Sequence, residues 1–187
     1  MPLAARPATY RRRVRVVGGS ARGRTLVAPP GGRTRPTSDR VREAIFNALR
    51  SRGAVEGADV LDLFAGSGAL GVEALSQGAA RATFVDSDRV ARQAVRRNLE
   101  ACGFLERATI VAATADRFLA RLGAERFDLA FCDPPYAFTG WERLLASLPA
   151  DLVVIESDGP VAVPADWELV RASQYGGTWV GFAEPAP

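Results

Sequence analysis

The chain has no histidine, and all 24 of its basic side chains are arginine, so lysine is missing as well. These gaps remove several chemistries at once. A Ser-His-Asp triad is excluded without histidine, and without lysine there is neither a Schiff-base nucleophile nor a P-loop lysine. A genome biased toward Arg, Ala, Gly and Pro codons accounts for the arginine monopoly. Cysteine occurs twice, at Cys102 and Cys132. Two are too few for a disulfide framework and have no metal-ligand spacing, so no metal site is expected. Long apolar runs are also absent. No window approaches the ~18 to 20 consecutive apolar residues of a membrane span, and the N-terminus carries no apolar h-region of a signal peptide, so a cytoplasmic protein is expected.

What is present fits one α/β domain with a small appendage: 187 residues, 48% hydrophobic and 24% charged. The net charge of +3 hides an asymmetry. Residues 1–52 carry 13 Arg against Asp39 and Glu43, a balance of +11, and the remainder carries 11 Arg against 19 acids, a balance of −8. The front has the character of a polyanion-binding face and the back does not. Residues 1–13, ending in Arg11-Arg12-Arg13, lack periodicity and read as a basic arm. Val14–Val17 and Thr25–Val27 are short β-prone runs around a Gly-rich turn, which predicts a hairpin with Arg15, Arg22 and Arg24 near its tip or on one face. Arg33 and Arg35 follow the Pro29-Pro30-Gly31-Gly32 linker. The expected division is therefore a basic arm and hairpin over 1–32 and a catalytic domain over 33–187.

Thr37, Ser38 or Asp39 can cap the next helix, in which Val41, Ile45, Phe46 and Leu49 form the apolar face and Arg40, Arg42, Glu43, Asn47 and Arg50 the polar one. From Asp59 onward apolar runs of four or five residues alternate with helical segments: Val60–Leu63, Ala82–Val85, Ala108–Val111, Leu129–Cys132 and Leu152–Ile155. This is the pattern of a parallel sheet covered on both faces. The tail differs, because Trp167–Arg171 and Thr178–Phe182 flank Tyr175-Gly176-Gly177 as an antiparallel edge hairpin.

Two stretches carry the chemistry. The first is Asp62-Leu63-Phe64-Ala65-Gly66-Ser67-Gly68-Ala69-Leu70-Gly71, a strand entering a glycine turn and then a helix. Asp86 closes the next strand at the distance expected of a ribose-binding carboxylate. A pyrophosphate beside Asp62 would meet like charge, whereas the ammonium of a methionine moiety would be attracted to it, so the pattern favours S-adenosylmethionine over a nicotinamide cofactor. Asp62, Phe64, Ala65, Gly66, Ser67, Gly68, Gly71, Asp86 and Ser87 are the candidate cofactor residues, with Thr114-Ala115 and Asp116 beside the adenine ring. The second stretch is Asp133-Pro134-Pro135-Tyr136 at the mouth of a buried strand. Methyl transfer from a sulfonium is an in-line displacement in which the protein chiefly positions the nucleophile. Asp133 and the Pro134 carbonyl can accept the N–H groups of an exocyclic amine, Pro135 stiffens the loop, and Tyr136 offers a stacking surface.

Together these motifs resemble the amino-methyltransferases that use S-adenosylmethionine. The block from Arg15 to Asn47, with Arg35-Pro36-Thr37-Ser38-Asp39-Arg40-Val41-Arg42-Glu43, is similar to the RsmD family of 16S rRNA guanine-N2 methyltransferases. The likeness reaches the tail around Val163-Pro164-Ala165-Asp166-Trp167. The resemblance implies a Rossmann-like methyltransferase fold with a mostly parallel seven-stranded sheet and an N-terminal hairpin that grips RNA; Arg11, Arg12, Arg13, Arg15, Arg22, Arg24, Arg33 and Arg35 of the basic front are the candidate RNA-binding residues. It implies a single target guanine, designated 966 in the family's rRNA numbering, presented on the small ribosomal subunit or its assembly intermediate to a monomeric enzyme. It also puts Thr37 near the methionine carboxylate and Asp133 beside the methyl donor. Thr114 departs from the acid that many amino-methyltransferases carry at that point. Competing readings are an adenine-N6 DNA methyltransferase, which usually needs a larger recognition domain, and an inactive RNA-binding assembly factor.

Overall fold

A computed structural model describes residues 14–29, 38–135 and 137–187. Two short strands come first, β1 (Val14–Arg15) and β2 (Thr25–Leu26), then α1 (Asp39–Ser51). The alternating region is β3 (Asp59–Leu63), α2 (Ala69–Ser76), β4 (Arg81–Val85), α3 (Arg89–Cys102), β5 (Ala108–Val111), α4 (Ala115–Leu119), β6 (Phe127–Cys132), α5 (Trp141–Ala146) and β7 (Ala150–Ser157). The chain ends in β8 (Trp167–Tyr175) and β9 (Thr178–Pro185). β1 and β2 form the expected antiparallel hairpin.

The main sheet has seven strands in the order β5-β4-β3-β6-β7-β9-β8. β3, β4, β5, β6 and β7 run parallel, and β9 is inserted antiparallel between β7 and β8. This is the expected Rossmann-like sheet with its edge hairpin. The chain leaves β3 in one direction for β4 and β5 and returns on the other side as β6. The crevice at the carboxyl ends of β3 and β6 is thus the switch point where doubly wound sheets bind ligands.

Strand alternation gives each face its own core. Val60, Phe84, Leu129, Phe131, Val154 and Phe182 point toward α1, α2, α3 and the hairpin, whose Val14, Val16, Ala21 and Leu26 are buried in the same cluster. Leu61, Leu63, Val85, Ala130, Cys132, Val153 and Ile155 point the other way, with Ala115 of α4 and Leu144 and Leu145 of α5. Among the described residues no helix is long and apolar enough to cross a membrane.

Two local expectations are narrowed and a third is corrected. Ser38 caps α1, its side chain accepting from the Val41 amide. The helical segment expected between the runs Ala108–Val111 and Leu129–Cys132 starts at Ala115, because the Thr114 hydroxyl accepts from the Arg117 amide and fixes the N-terminus there. The third adjustment is a correction. Arg42, expected on the polar face of α1, is 0% exposed. Its spacing from Ile45, Phe46 and Leu49 puts it on the apolar stripe, and its charge misleads because a buried carboxylate awaits it: its Nε lies 3.4 Å from Glu73 Oε2 on α2.

Candidate active site and basic hairpin

The glycine turn is built by hydrogen bonds that bend the chain sharply at the end of β3. Both the Phe64 and Ala65 amides donate to the Val85 carbonyl, at 3.1 and 3.0 Å, which draws the turn over the end of β4. Phe64 adopts a φ of 70°, the left-handed region, and is the only non-glycine residue to do so among those described. Such a conformation costs on the order of 1–3 kcal/mol and persists only where the surroundings enforce it. Gly68 caps α2 with a φ of 74°. Gly71 is required for a different reason: a Cβ there would lie 2.3 Å from Phe84 Cε1 and 3.1 Å from Asp62 Oδ2.

Asp62 is 2% exposed, and its Oδ2 accepts from the Gly71 amide at 2.9 Å. Burial pushes its carboxyl up from 3.8 to about 7; the Gly71 hydrogen bond opposes the shift and the charge of Asp86 adds to it. Asp86, half-buried at the end of β4, accepts from the Gly66 amide at 2.8 Å through Oδ2 and from the Asp88 amide at 2.8 Å through Oδ1. A carboxylate has about four acceptor positions, so capacity is left for a pair of hydroxyls. Asp88 caps α3 through the Val90 amide at 2.8 Å, and Ser87 beside it is exposed. Thr114 spends its hydroxyl on the cap of α4, and Asp116 is exposed and paired with Arg143.

Asp133 follows the last residue of β6, and Cys132 pairs in register with Leu63. The two motifs therefore meet across adjacent strands. Cys132 reports this: its buried thiol is pushed up first by burial, then by Asp62, then by Asp133. After Asp133 the chain turns, with the Phe138 amide donating to the Pro135 carbonyl at 2.8 Å. Phe138 packs edge-on against Phe64 at 5.5 Å and against Trp141 at 5.1 Å. This aromatic row ties the loop after Asp133 to the glycine turn. Phe138 and Trp141 were not expected at the site, although aromatic residues two and five positions beyond Tyr136 were a usable signal. Tyr136, Thr37, Arg11, Arg12, Arg13, Arg33 and Arg35 lie outside the described residues.

The hairpin is locked to the same region by buried polar groups. The Val17 and Gly18 amides donate to the two oxygens of Glu73, at 2.8 and 2.7 Å, and the Ala21 amide donates to Ser76 Oγ at 2.9 Å. Arg42 joins Glu73, Asp39 and the Arg15 carbonyl. Arg15, Arg22 and Arg24 remain exposed on the hairpin.

A family model described as Conserved hypothetical protein 95 matches residues 14–184. The ribosomal RNA small subunit methyltransferase D of Escherichia coli strain K12 is 40% identical over 173 residues, covering 87% of this chain and 85% of its own. The chain belongs to the RsmD family. Among solved structures, a hypothetical protein of Thermus thermophilus superposes with a TM-score of 0.79 at 35% identity, covering 91% of this chain and 99% of its own. SMU.776, solved complexed with SAH, has a TM-score of 0.63 at 17% identity over 78% of this chain and 48% of its own, a likeness of fold alone. As a member of the RsmD family the chain is a methyltransferase, and its two motifs face one crevice at the switch point of a methyltransferase sheet.

Proposed function

We propose that this chain transfers a methyl group from S-adenosylmethionine to the exocyclic N2 of one guanine, of the 966 type, in the 16S rRNA of the small ribosomal subunit. The observation that carries the reading is the convergence of Asp62 and Asp133 around the paired ends of β3 and β6, beside a glycine turn whose amides are fixed by Asp62 and Asp86. The donor set suits the cofactor: a buried carboxylate for an ammonium, a second carboxylate with spare acceptor capacity for ribose hydroxyls, and a backbone turn that admits close approach. When bound, S-adenosylmethionine supplies an electrophilic methyl on a sulfonium.

The chain's own residues supply positioning. Asp62 attracts the methionine ammonium, with Thr37 beside the carboxylate. Phe64, Ala65, Gly66, Ser67, Gly68 and Gly71 shape the turn, and Asp86, Ser87, Thr114 and Ala115 border the adenosine. Asp133 and the Pro134 carbonyl accept the two N–H hydrogens of the target amine. That concentrates electron density on a nitrogen whose lone pair is otherwise delocalised into the ring. Asp133 is placed to take the proton that the amine must shed when the methyl replaces it, and to pass that proton on to solvent. Pro135 stiffens the loop and Tyr136 stacks on the base. In this division of labour residues 1–32 grip RNA through arginines and residues 33–187 catalyse.

The test is transfer of labelled methyl from S-adenosylmethionine to small subunits from cells lacking this protein, with the product nucleoside identified by mass spectrometry. N2-methylguanosine at one site is expected; label only in DNA, or in a different nucleoside, overturns the target assignment.

A further inference from the structure

One buried side chain bridges the hairpin and the cofactor turn. Asn98 lies on α3 and is 1% exposed. Its Oδ1 accepts from the Val27 amide at 2.7 Å, and its Nδ2 donates to the Val27 carbonyl at 3.0 Å. The amide thus pairs with both backbone groups of Val27 as a neighbouring strand would, just beyond the end of β2. The other N–H of the same Nδ2 donates to the Ser67 carbonyl at 2.8 Å. Ser67 stands between Gly66 and Gly68, in the middle of the glycine turn. Every donor of Asn98 is therefore committed, one to the cofactor turn and one to the hairpin's exit.

The rest of the hairpin is held by Arg42 of α1, which reaches the Arg15 carbonyl, and above all by α2, the helix that this turn begins. Glu73, 0% exposed, accepts the Val17 and Gly18 amides, while Ser76 Oγ accepts the Ala21 amide and donates to the Gly18 carbonyl at 2.6 Å. Those contacts fix the hairpin to the second and third turns of α2. Among the described residues the hydrogen bonds of Asn98 are what join the hairpin directly to the loop itself. The loop also holds the strained residue of the site, Phe64 at a φ of 70°, followed two residues on by Gly66 at 55°, which glycine adopts freely. A strained turn whose central carbonyl is pinned by a side chain that also pins the arginine-bearing hairpin has two neighbours biasing one geometry.

We propose that Asn98 is a positioning residue that couples the two: seating of RNA on the hairpin and seating of the cofactor in the glycine turn favour the same arrangement of the Val27–Asn98–Ser67 bridge, so each ligand tightens the other. This rests on the functional reading above. Coupling of this kind is reciprocal in free energy, and its usual size is a factor of ~5 or more in affinity.

The experiment is equilibrium dialysis of labelled S-adenosylhomocysteine against the full chain, with and without saturating unmethylated small subunits. The wild type is expected to bind at least ~5-fold more tightly with subunits present. In Asn98→Ala that ratio falls to within ~2-fold of unity, while the salt dependence of subunit binding, set by the arginines, stays unchanged. Asn98→Asp provides a second variant of the same size. It keeps an acceptor for the Val27 amide but loses both donors, so it severs the Ser67 link and is expected to lose the coupling even where the alanine variant folds poorly. A merely structural role would lower the melting temperature of both variants and leave the ratio near its wild-type value. That result, or a wild-type ratio near one, overturns the coupling alone. Failure of the wild type to bind S-adenosylhomocysteine at all overturns the functional reading with it.

Discussion

Asp133 and Asp62 are both carboxylates at strand ends, yet their tasks are separable. In the proposed mechanism Asp133 bears on the nucleophile, so Asp133→Ala is expected to lower kcat by ~100-fold or more with S-adenosylhomocysteine affinity nearly unchanged, measured by single-turnover transfer and dialysis; near-normal turnover would remove it from the mechanism. In the same proposal Asp62 bears on the cofactor, and it carries a pH signature. Its carboxyl is raised to about 7 in the folded protein, so the folded state holds a proton that the unfolded chain releases near 3.8. The stability tied to that proton is complete below the unfolded value and is lost as pH rises through about 7. Ligand binding has the opposite sense. An ammonium favours the charged carboxylate, so S-adenosylhomocysteine should weaken as pH falls below about 7, by up to ~10-fold per unit for one linked proton. Asp62→Asn should bind more weakly and flatten the profile between about pH 5.5 and 7.5; a flat wild-type profile would mean that this carboxylate does not meet the ammonium.

At the scale of elements, the helices and strands were mostly legible because each strand is a short apolar run and each turn a recognisable cluster. β3, β4 and β5 appear within a residue of expectation. The glycine turn was legible because its constraint is mostly local: Gly68 needs a positive φ, and the Gly71 amide meets the Asp62 carboxylate only nine residues away, where a Cβ would also strike Phe84. The polar lock of the hairpin was not legible. Its partners are Arg42 with Glu73, Val17 with Glu73 and Val27 with Asn98, separated by 31, 56 and 71 residues. No periodicity announces such pairs, and an Arg in a helix looks solvated until its carboxylate is located. The lock predicts a stability effect. Glu73→Ala removes the acceptor of two amides and a carboxylate facing a fully buried guanidinium. Breaking a buried pair in this way is expected to cost roughly 3 kcal/mol or more, read as a lower midpoint in urea. A cost within that of a surface substitution would mean the hairpin is held by its apolar contacts alone.

Over the whole molecule the arginines differ in whether an acid neutralises them. Away from the hairpin, Arg52 pairs with Glu184, Arg126 with Asp151 and Arg143 with Asp116, while Arg89, Arg96, Arg97, Arg117 and Arg121 are exposed and form no ion pair among the described residues. On the hairpin Arg22 and Arg24 are exposed and form no ion pair among the described residues, and Arg15 beside them is exposed too. Neutralised charges contribute little to a long-range field, whereas exposed arginines that no described acid pairs with set up one that can attract a phosphate backbone. Each phosphate contact releases condensed counterions, so affinity for RNA should fall steeply with salt, and every arginine that meets a phosphate should account for ~0.7 to 0.9 of the slope. Replacing Arg15, Arg22 and Arg24 with Gln is therefore expected to weaken binding to small subunits at low salt and to flatten the plot of log affinity against log salt by about 2. The matched control replaces Arg126 and Arg143, which are exposed but already paired, and should leave the slope as it was. Equal slopes for the triple variant and the double control would place the RNA elsewhere. A reduced slope confined to the hairpin variant would tie the +11 imbalance of the first 52 residues to one face of the fold.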